Sequence, residues 1–551
     1  VYSLNAERPN IIWIVSEDNS PMLGAYGDEL AHTPNIDGFA SDSVRFDRAF
    51  ANAPVCAPSR STLINGVYAT ELGSHHMRSN VTLPDDFQHF PWYLRKAGYF
   101  TTNRSKKDYN MPLKEGTWSK DDWWHYREAF EGWDGEQPFF FMYNTWMSHE
   151  GKIHRREGDS LLGYVEATLE AYGVEETDAQ AIMDRHAFNP DEIELPAYHP
   201  DLPVVREDWA YYYKCVALMD YEVGLLLDRL ERDGLLENSI VFYFSDHGGV
   251  LPRSKRFTYD SGLHVPLIIH VPESMRKIAE PLKANRDRVV EFVDLAPTVL
   301  QMAGVAPPAH FSGVSLLQTD SPAHEFAFGF RGRMDERYDR VRTVTDGRYR
   351  YVRDYTPHRP EGGRVRYLWR AASMQAWQEA YESGDTTPAQ SIFWEPNASE
   401  ALYDTKADPD NVVNLSADPN HADRVDAFRK LVDEWMLETK DTGLFPEPMM
   451  NHLRGDRSPW DWIRDGDIPV GEILEAANLA IRATPSDMRK LRRLADSPEP
   501  AIRYWAATGL TIVTSQGTDT ESQIAPLASD GFPSVRIAVA VQRAELDAAA
   551  R

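Results

Sequence analysis

"PNIIWIVSEDNS", Pro9 to Ser20, holds an apolar, mostly β-branched run, Ile11 to Val15, that ends abruptly in the acids Glu17 and Asp18. A run this short and this uniformly apolar reads as a strand buried on both faces, the kind that parallel sheets use. The shape recurs in "QPFFFMYNTWMSH", Gln137 to His149, and in "NSIVFYFSDHGG", Asn238 to Gly249, and "HVPLIIHVP" from His264 supplies another strand. Helical patterns lie between them: "TPNIDGFASDSV", "FPWYLRKAG" and the long "REDWAYYYKCVALMDYEVGLLLDRLERDG". Strands alternating with helices predict an α/β fold: a large mixed, mainly parallel sheet sandwiched by helices, with polar chemistry gathered at the strands' carboxyl ends. The acids of the opening stretch stand at such an end.

After about Gly304 the texture changes. "FAFGFRGRMDERYDRVRTVTDGRYRYVRDY" has short strands around an Asp-Gly-Arg turn, and "RVDAFRKLVDEWMLETKDTG" has a helical period, as expected of a smaller α+β subdomain. From about Gly471 an Asp/Pro-rich turn followed by an apolar residue, Arg and an alanine-rich helix occurs twice, with Ile502-Arg503 recurring as Val535-Arg536. That pattern predicts a helical, HEAT-like tail. The expected organisation is a catalytic α/β domain over residues 1–304, an α+β subdomain over 305–470 that closes a cleft, and the tail over 471–551.

The chain has 551 residues, 42% of them hydrophobic, so it can build a large core. No apolar run approaches the roughly 20 residues that span a bilayer, which excludes membrane insertion. A formal charge of −27 argues against a nucleic-acid partner and requires a locally positive pocket for any anionic substrate. Two cysteines allow at most one disulfide.

One of them, Cys56, lies in "VCAPSRSTLING", Val55 to Gly66. Pro58 suits a first helical turn and Gly66 a C-cap, so Cys56 is expected at a helix N-terminus, where the backbone dipole favours anions. Arg60 follows by one turn, on the same face.

Cys56-Ala57-Pro58-Ser59-Arg60 resembles the Cys-x-Pro-x-Arg signature of type I, formylglycine-dependent sulfatases of the alkaline phosphatase superfamily. The order of motifs, "SEDN" first, then this segment, then "SDHG", extends the resemblance over roughly residues 9 to 440 and leaves the tail outside it. The resemblance implies that Cys56 is oxidised to formylglycine by a separate formylglycine-generating or anaerobic sulfatase-maturating enzyme. One hydroxyl of the hydrated aldehyde attacks sulfur and the other later expels sulfate. It also implies a divalent cation, Ca²⁺ ahead of Mg²⁺, on Glu17, Asp18, Asp246 and His247, although relatives more often carry Asp at the first position and Asn at the last.

Further site residues follow from the same resemblance. Arg60 steadies the nucleophile. Lys106 bridges nucleophile and sulfate, with neighbouring Lys107 as competitor and Asp108 where relatives have histidine. Lys255 stands at the family spacing from Tyr259-Asp260-Ser261-Gly262 and binds sulfate. His149 protonates the leaving oxygen, a task for a side chain titrating near neutrality. Independently of the resemblance, His75, His76 and Arg78 in "GSHHMRS", shortly after the Cys56 helix, and Arg331 and Arg333 in "FRGRMDER" of the second domain are candidate substrate contacts. Trp123 and Trp124 are read as core.

The expected activity is hydrolysis of sulfate monoesters on a sulfated carbohydrate. N-sulfoglucosamine sulfohydrolase (sulfamidase) activity, phosphonate or phosphate monoester hydrolysis, and an inactive carbohydrate-binding protein are the alternatives. Cys56, Arg60, Lys255, Asp18 and Asp246 standing together count against the inactive form. No signal-type segment occurs in the sequence, so the expected periplasmic or secreted location comes from the substrate alone.

Overall fold

A computed structural model describes residues 8–154, 159–174, 178–319, 325–466 and 468–549. Eight strands make the main sheet: β1 Asn10–Ser16, β2 Val44–Phe50, β3 Phe100–Asn103, β4 Lys120–Asp121, β5 Phe139–Asn144, β6 Ser239–Ser245, β7 His264–His270 and β8 Val290–Glu291. Their order is β4-β3-β5-β1-β6-β7-β2-β8, and only β7 runs against the others. The sheet is therefore mixed and mainly parallel.

The apolar run Ile11 to Val15 of β1 has a direct cause. Ile11, Trp13 and Val15 face one hydrophobic cluster, which the helices Cys56–Asn65, Phe90–Lys96, Arg276–Asn285 and Leu295–Met302 complete. Ile12 and Ile14 face a second, built on the long helix Pro203–Arg232. With both pleat faces covered, Ile11 to Val15 are all apolar and the polar residues of β1, Asn10 and Ser16, stand at its two ends.

A second, antiparallel sheet follows: β9 Ala327–Arg331, β10 Val341–Thr345, β11 Tyr349–Asp354 and β12 Glu400–Asp404, ordered β12-β11-β10-β9. The Asp-Gly-Arg segment makes the β10–β11 hairpin. Asp346 accepts the backbone N–H groups of Arg348 (2.8 Å) and Tyr349 (2.6 Å), and Gly347 takes the left-handed φ of 85°.

The C-terminal residues form the helices Val470–Ile481, Met488–Ala495, Pro500–Ser515 and Pro533–Ala549. They share one apolar cluster with the small sheet: Phe330, Val344, Tyr351 and Leu402 join Trp435, Ile473, Leu491, Trp505 and Val535. The recurrent arginine of the first tail unit, Arg503, clamps Asp530 in the turn that opens the second (2.6 and 3.1 Å). Among the described residues no helix is long and apolar enough to cross a membrane.

Candidate active site

Three adjacent strands carry the site. β1 pairs with β6 in parallel, with Ser16 opposite Ser245, so Glu17-Asp18 and Asp246-His247 leave the sheet side by side. On its other flank β1 pairs with β5, which ends at Asn144 and leads to His149. The helix Cys56–Asn65 starts close by, and all ten of its residues are buried. Gly66 caps it with a φ of 62°. Lys255 comes from the β6–β7 connection, which is tied to the Cys56 segment by the Arg256 N–H donating to Pro54 O (2.7 Å).

Glycine is required where these connections meet. Gly248 donates to Gly262 O (2.9 Å) and Gly249 to Ser261 O (2.7 Å). A Cβ on Gly248 would lie 2.3 Å from Ser261 O, closer than van der Waals contact permits.

Cys56 Sγ lies 3.4 Å from Lys255 Nζ, 3.5 Å from His247 Nε2 and 3.9 Å from Asp18 Oδ1. Burial alone would raise its thiol, yet Lys255 and Lys106 hold it below the ordinary value. Asp18 is the hub. Lys255 reaches both its oxygens (2.8 and 2.7 Å), His247 Nε2 stands at 2.8 Å, and the Glu150 N–H donates to it (2.7 Å). Against the upward push of burial, Lys255 and His247 keep its carboxyl well below the usual range. Its backbone adopts φ 55°, which a non-glycine residue holds only under constraint. Its N–H donates to Asp246 Oδ1 (3.2 Å), and its carbonyl accepts from Tyr212 (2.6 Å).

Arg60 donates through Nε to Asp246 (2.9 Å) and through Nη1 to Asn144 Oδ1 (2.7 Å). Lys106 donates to Glu17 Oε2 (3.0 Å), whereas Lys107 is turned away to Asp121 (3.0 Å) and Asp122. Asp108 lies 3.8 Å from Lys106 Nζ and 3.9 Å from Arg60 Nε. His149 Nδ1 accepts the Gly151 N–H (3.1 Å), leaving Nε2 as the hydrogen-bearing nitrogen, 3.6 Å from Glu17. Burial and Lys255 oppose protonation of this ring, but Asp18 and Glu17 outweigh them and raise its pKa. His247, though burial favours its neutral form, is pushed up to about 10 by Asp246 and Asp18.

The donors suit a hard divalent cation. Glu17, Asp18 and Asp246 bring carboxylate oxygens, and Glu17 Oε1 is buried with no hydrogen-bond partner. Ligand atoms of Glu17, Asp18, His149 and Cys56 lie within 4.8 Å of one another, as do those of Asp246, His247 and Cys56.

Above this cluster opens a cavity of about 970 Å³. Cys56, Lys106, His149 and Lys255 line it, together with Arg78 and Arg333. His75, His76 and Arg331, expected as substrate contacts, are not brought to its wall. The two imidazoles are buried and 4.0 Å apart, and His76 Nδ1 accepts the Arg333 N–H (2.9 Å), so they support the loop from beneath. Burial, with Arg342 nearby, drives His75 down to about 3, a neutral packing residue. Arg331 is also buried, 3.2 Å from Asp339 and 4.2 Å above the Phe257 ring. Trp123 is core, its Nε1 donating to Thr102 (2.8 Å).

Residues not singled out from the sequence complete the wall. Glu150, next to His149, takes a two-pronged grip from Arg256 (2.8 and 2.8 Å), while Arg366, Tyr367 and Arg370 come from the small-sheet side. Arg256 adjoins Lys255, a signal within reach of sequence reading. The other three stand at or beside the short 3-10 turn Leu368–Arg370, whose sequence has no readable period.

A buried cysteine at a helix N-terminus, acids clustered as a cation would need, and lysines converging from two sides suit hydrolysis of tetrahedral oxyanion esters. The sulfatase family model matches residues 9–305. An ulvan-active sulfatase of Formosa agariphila is 30% identical over 466 residues, covering 80% of this chain and 77% of that protein. The N-sulphoglucosamine sulphohydrolase of Homo sapiens is 26% identical over 492 residues, covering 80% and 92%. A solved structure in complex with its substrate D-glucosamine-2-N,6-O-disulfate superposes with a TM-score of 0.54 at 20% identity, over 79% of this chain and 99% of the other, a likeness of fold. The chain belongs to the sulfatase family, whose members hydrolyse sulfuric esters.

Proposed function

We propose that this enzyme removes sulfate from a sulfated polysaccharide or oligosaccharide, with residue 56 acting in its formylglycine form and a divalent cation on Glu17, Asp18, Asp246 and His247. The observation that carries this reading is the position of Cys56 on the cavity floor, within 3.5 Å of both Lys255 and His247 and beside the carboxylate cluster. The carbohydrate comes from the ulvan-active relative. Three carboxylates favour calcium over a softer metal, and calcium's looser coordination accommodates the longer arm of Glu17.

The cation supplies Lewis acidity to the sulfuryl oxygens when bound. The formylglycine hydrate supplies one hydroxyl to attack sulfur and a second to release sulfate. The remaining roles belong to the chain's own side chains. Lys255 and Lys106 flank residue 56 and present ammonium hydrogens to the negative charge that grows on the sulfuryl oxygens. Arg60 is locked by Asp246 and Asn144 and fixes the helix start relative to β5 and β6. His149 holds its proton on Nε2 for the departing oxygen.

A separate maturing enzyme must convert Cys56, and a periplasmic or secreted location fits a polysaccharide substrate. Mass spectrometry of the peptide spanning Cys56 detects the replacement of sulfur by the aldehyde. Cys56→Ala is expected to abolish turnover with the thermal midpoint preserved; an unchanged rate removes residue 56 from the chemistry. The N-sulfate reading is supported by the human relative, matched over 92% of its length. Parallel assays on O-sulfated and N-sulfated glucosamine separate the two activities, and an aryl phosphonate ester tests the third.

A further inference from the structure

The arginines around the cavity are of two kinds. Arg256 is held by Glu150 and approaches Asp335 (3.4 Å), and Arg333 is held by Glu447 (2.6 and 3.1 Å). Arg78, Arg366 and Arg370 are exposed and make no side-chain hydrogen bond or ion pair among the described residues. Arg370 lies 5.3 Å from the ring of Tyr367, which stands between it and Arg366 in the chain. All three line one cavity, beside the lysines of its floor, on a chain with 85 acidic against 58 basic side chains.

The acids of the wall are otherwise engaged. Glu150 takes Arg256 and lies 3.3 Å from Lys255, Glu336 accepts the backbone N–H of Arg366 (2.5 Å), and Asp108 sits beside Lys106 and Arg60. The sulfate being cleaved is served by Lys255 and Lys106 on the floor, and a cavity of about 970 Å³ holds much more than one sulfate. Guanidinium groups stay charged and present a planar fork that matches carboxylate or sulfate oxygens in pairs.

We propose that Arg78, Arg366 and Arg370 form a second anion subsite, taking a carboxylate or sulfate of the substrate other than the sulfate being cleaved. The proposal rests on the carbohydrate-sulfatase reading above and narrows it to polyanionic saccharides.

The test uses the full chain with residue 56 converted and three disaccharides: one with a single sulfate and no other charge, one with that sulfate and a uronate carboxylate, and one with two sulfates. The expected result is a kcat/KM at least about tenfold higher on one or both dianionic substrates, carried mainly by KM. That preference collapses in Arg366→Gln/Arg370→Gln and weakens in Arg78→Gln. Which dianionic substrate wins identifies the anion. Equal rates on all three overturn the subsite and leave the sulfatase reading intact. Absence of cleavage of any of them by fully converted protein overturns the carbohydrate reading instead. Calorimetry then decides the subsite independently. In a Cys56→Ala background, tighter binding of dianionic saccharides that is lost in Arg366→Gln/Arg370→Gln supports it, and equal affinities refute it.

Discussion

Lys106 and Lys107 are adjacent and chemically identical, yet their surroundings differ. Lys106 is largely buried against Glu17, and burial's preference for the neutral amine is overcome by Glu17 and Asp108, so its pKa is raised and it stays an ammonium. Lys107 pairs with two exposed acids, a contact of small worth. Lys106→Ala is therefore expected to cut kcat/KM on an aryl sulfate by about two to three orders of magnitude, as removal of an oxyanion-stabilising donor does. Lys107→Ala is expected to stay within about twofold. Steady-state kinetics on the two variants checks the assignment, and a reversed order would place the bridging role on Lys107. Sequence alone leaves this pair unresolved because the deciding partner, Glu17, stands on a different strand.

At the scale of elements, the site is a consequence of strand register. Acids placed directly after two parallel neighbours must emerge together, and this much was legible from apolar runs that end in charge. The turns that hold the ends together were less legible, because their constraint is a close approach between segments. Gly248→Ala must push Ser261 and Gly262 away and tilt the connection that carries Lys255. Activity is expected to fall at least about tenfold, with a stability loss of about 1–3 kcal/mol, measured by denaturant titration beside kinetics. A fully active, fully stable variant would show that the approach is dispensable. His75 and His76 illustrate the opposite limit. A polar cluster just past the nucleophile helix resembles a cleft lining, but the groups that cover it, Arg333 and Tyr338, arrive far later in the chain. Arg366 and Arg370 were missed for the same reason.

For the whole molecule, the tail packs as part of the subdomain that faces the cavity. Trp505 is fully buried, donates to Leu444 O (3.0 Å) and lies 5.5 Å from the Tyr355 ring, in the cluster that also contains β9 to β12 residues. Trp505→Ala is expected to cost about 3–5 kcal/mol and to lower the midpoint of the transition in which activity is lost. Calorimetry paired with residual-activity measurements checks this. A separate early transition with activity intact would make the tail an autonomous unit.

The closed surroundings of the nucleophile helix fix an order of events. From Cys56 to Asn65 every residue is hidden, so once the sheet has assembled no second protein can grasp this segment as a peptide. Any enzymatic editing of position 56 is confined to the interval between emergence from the ribosome and closure of the fold. On the proposed formylglycine reading, molecules that close before conversion have the fold without the nucleophile.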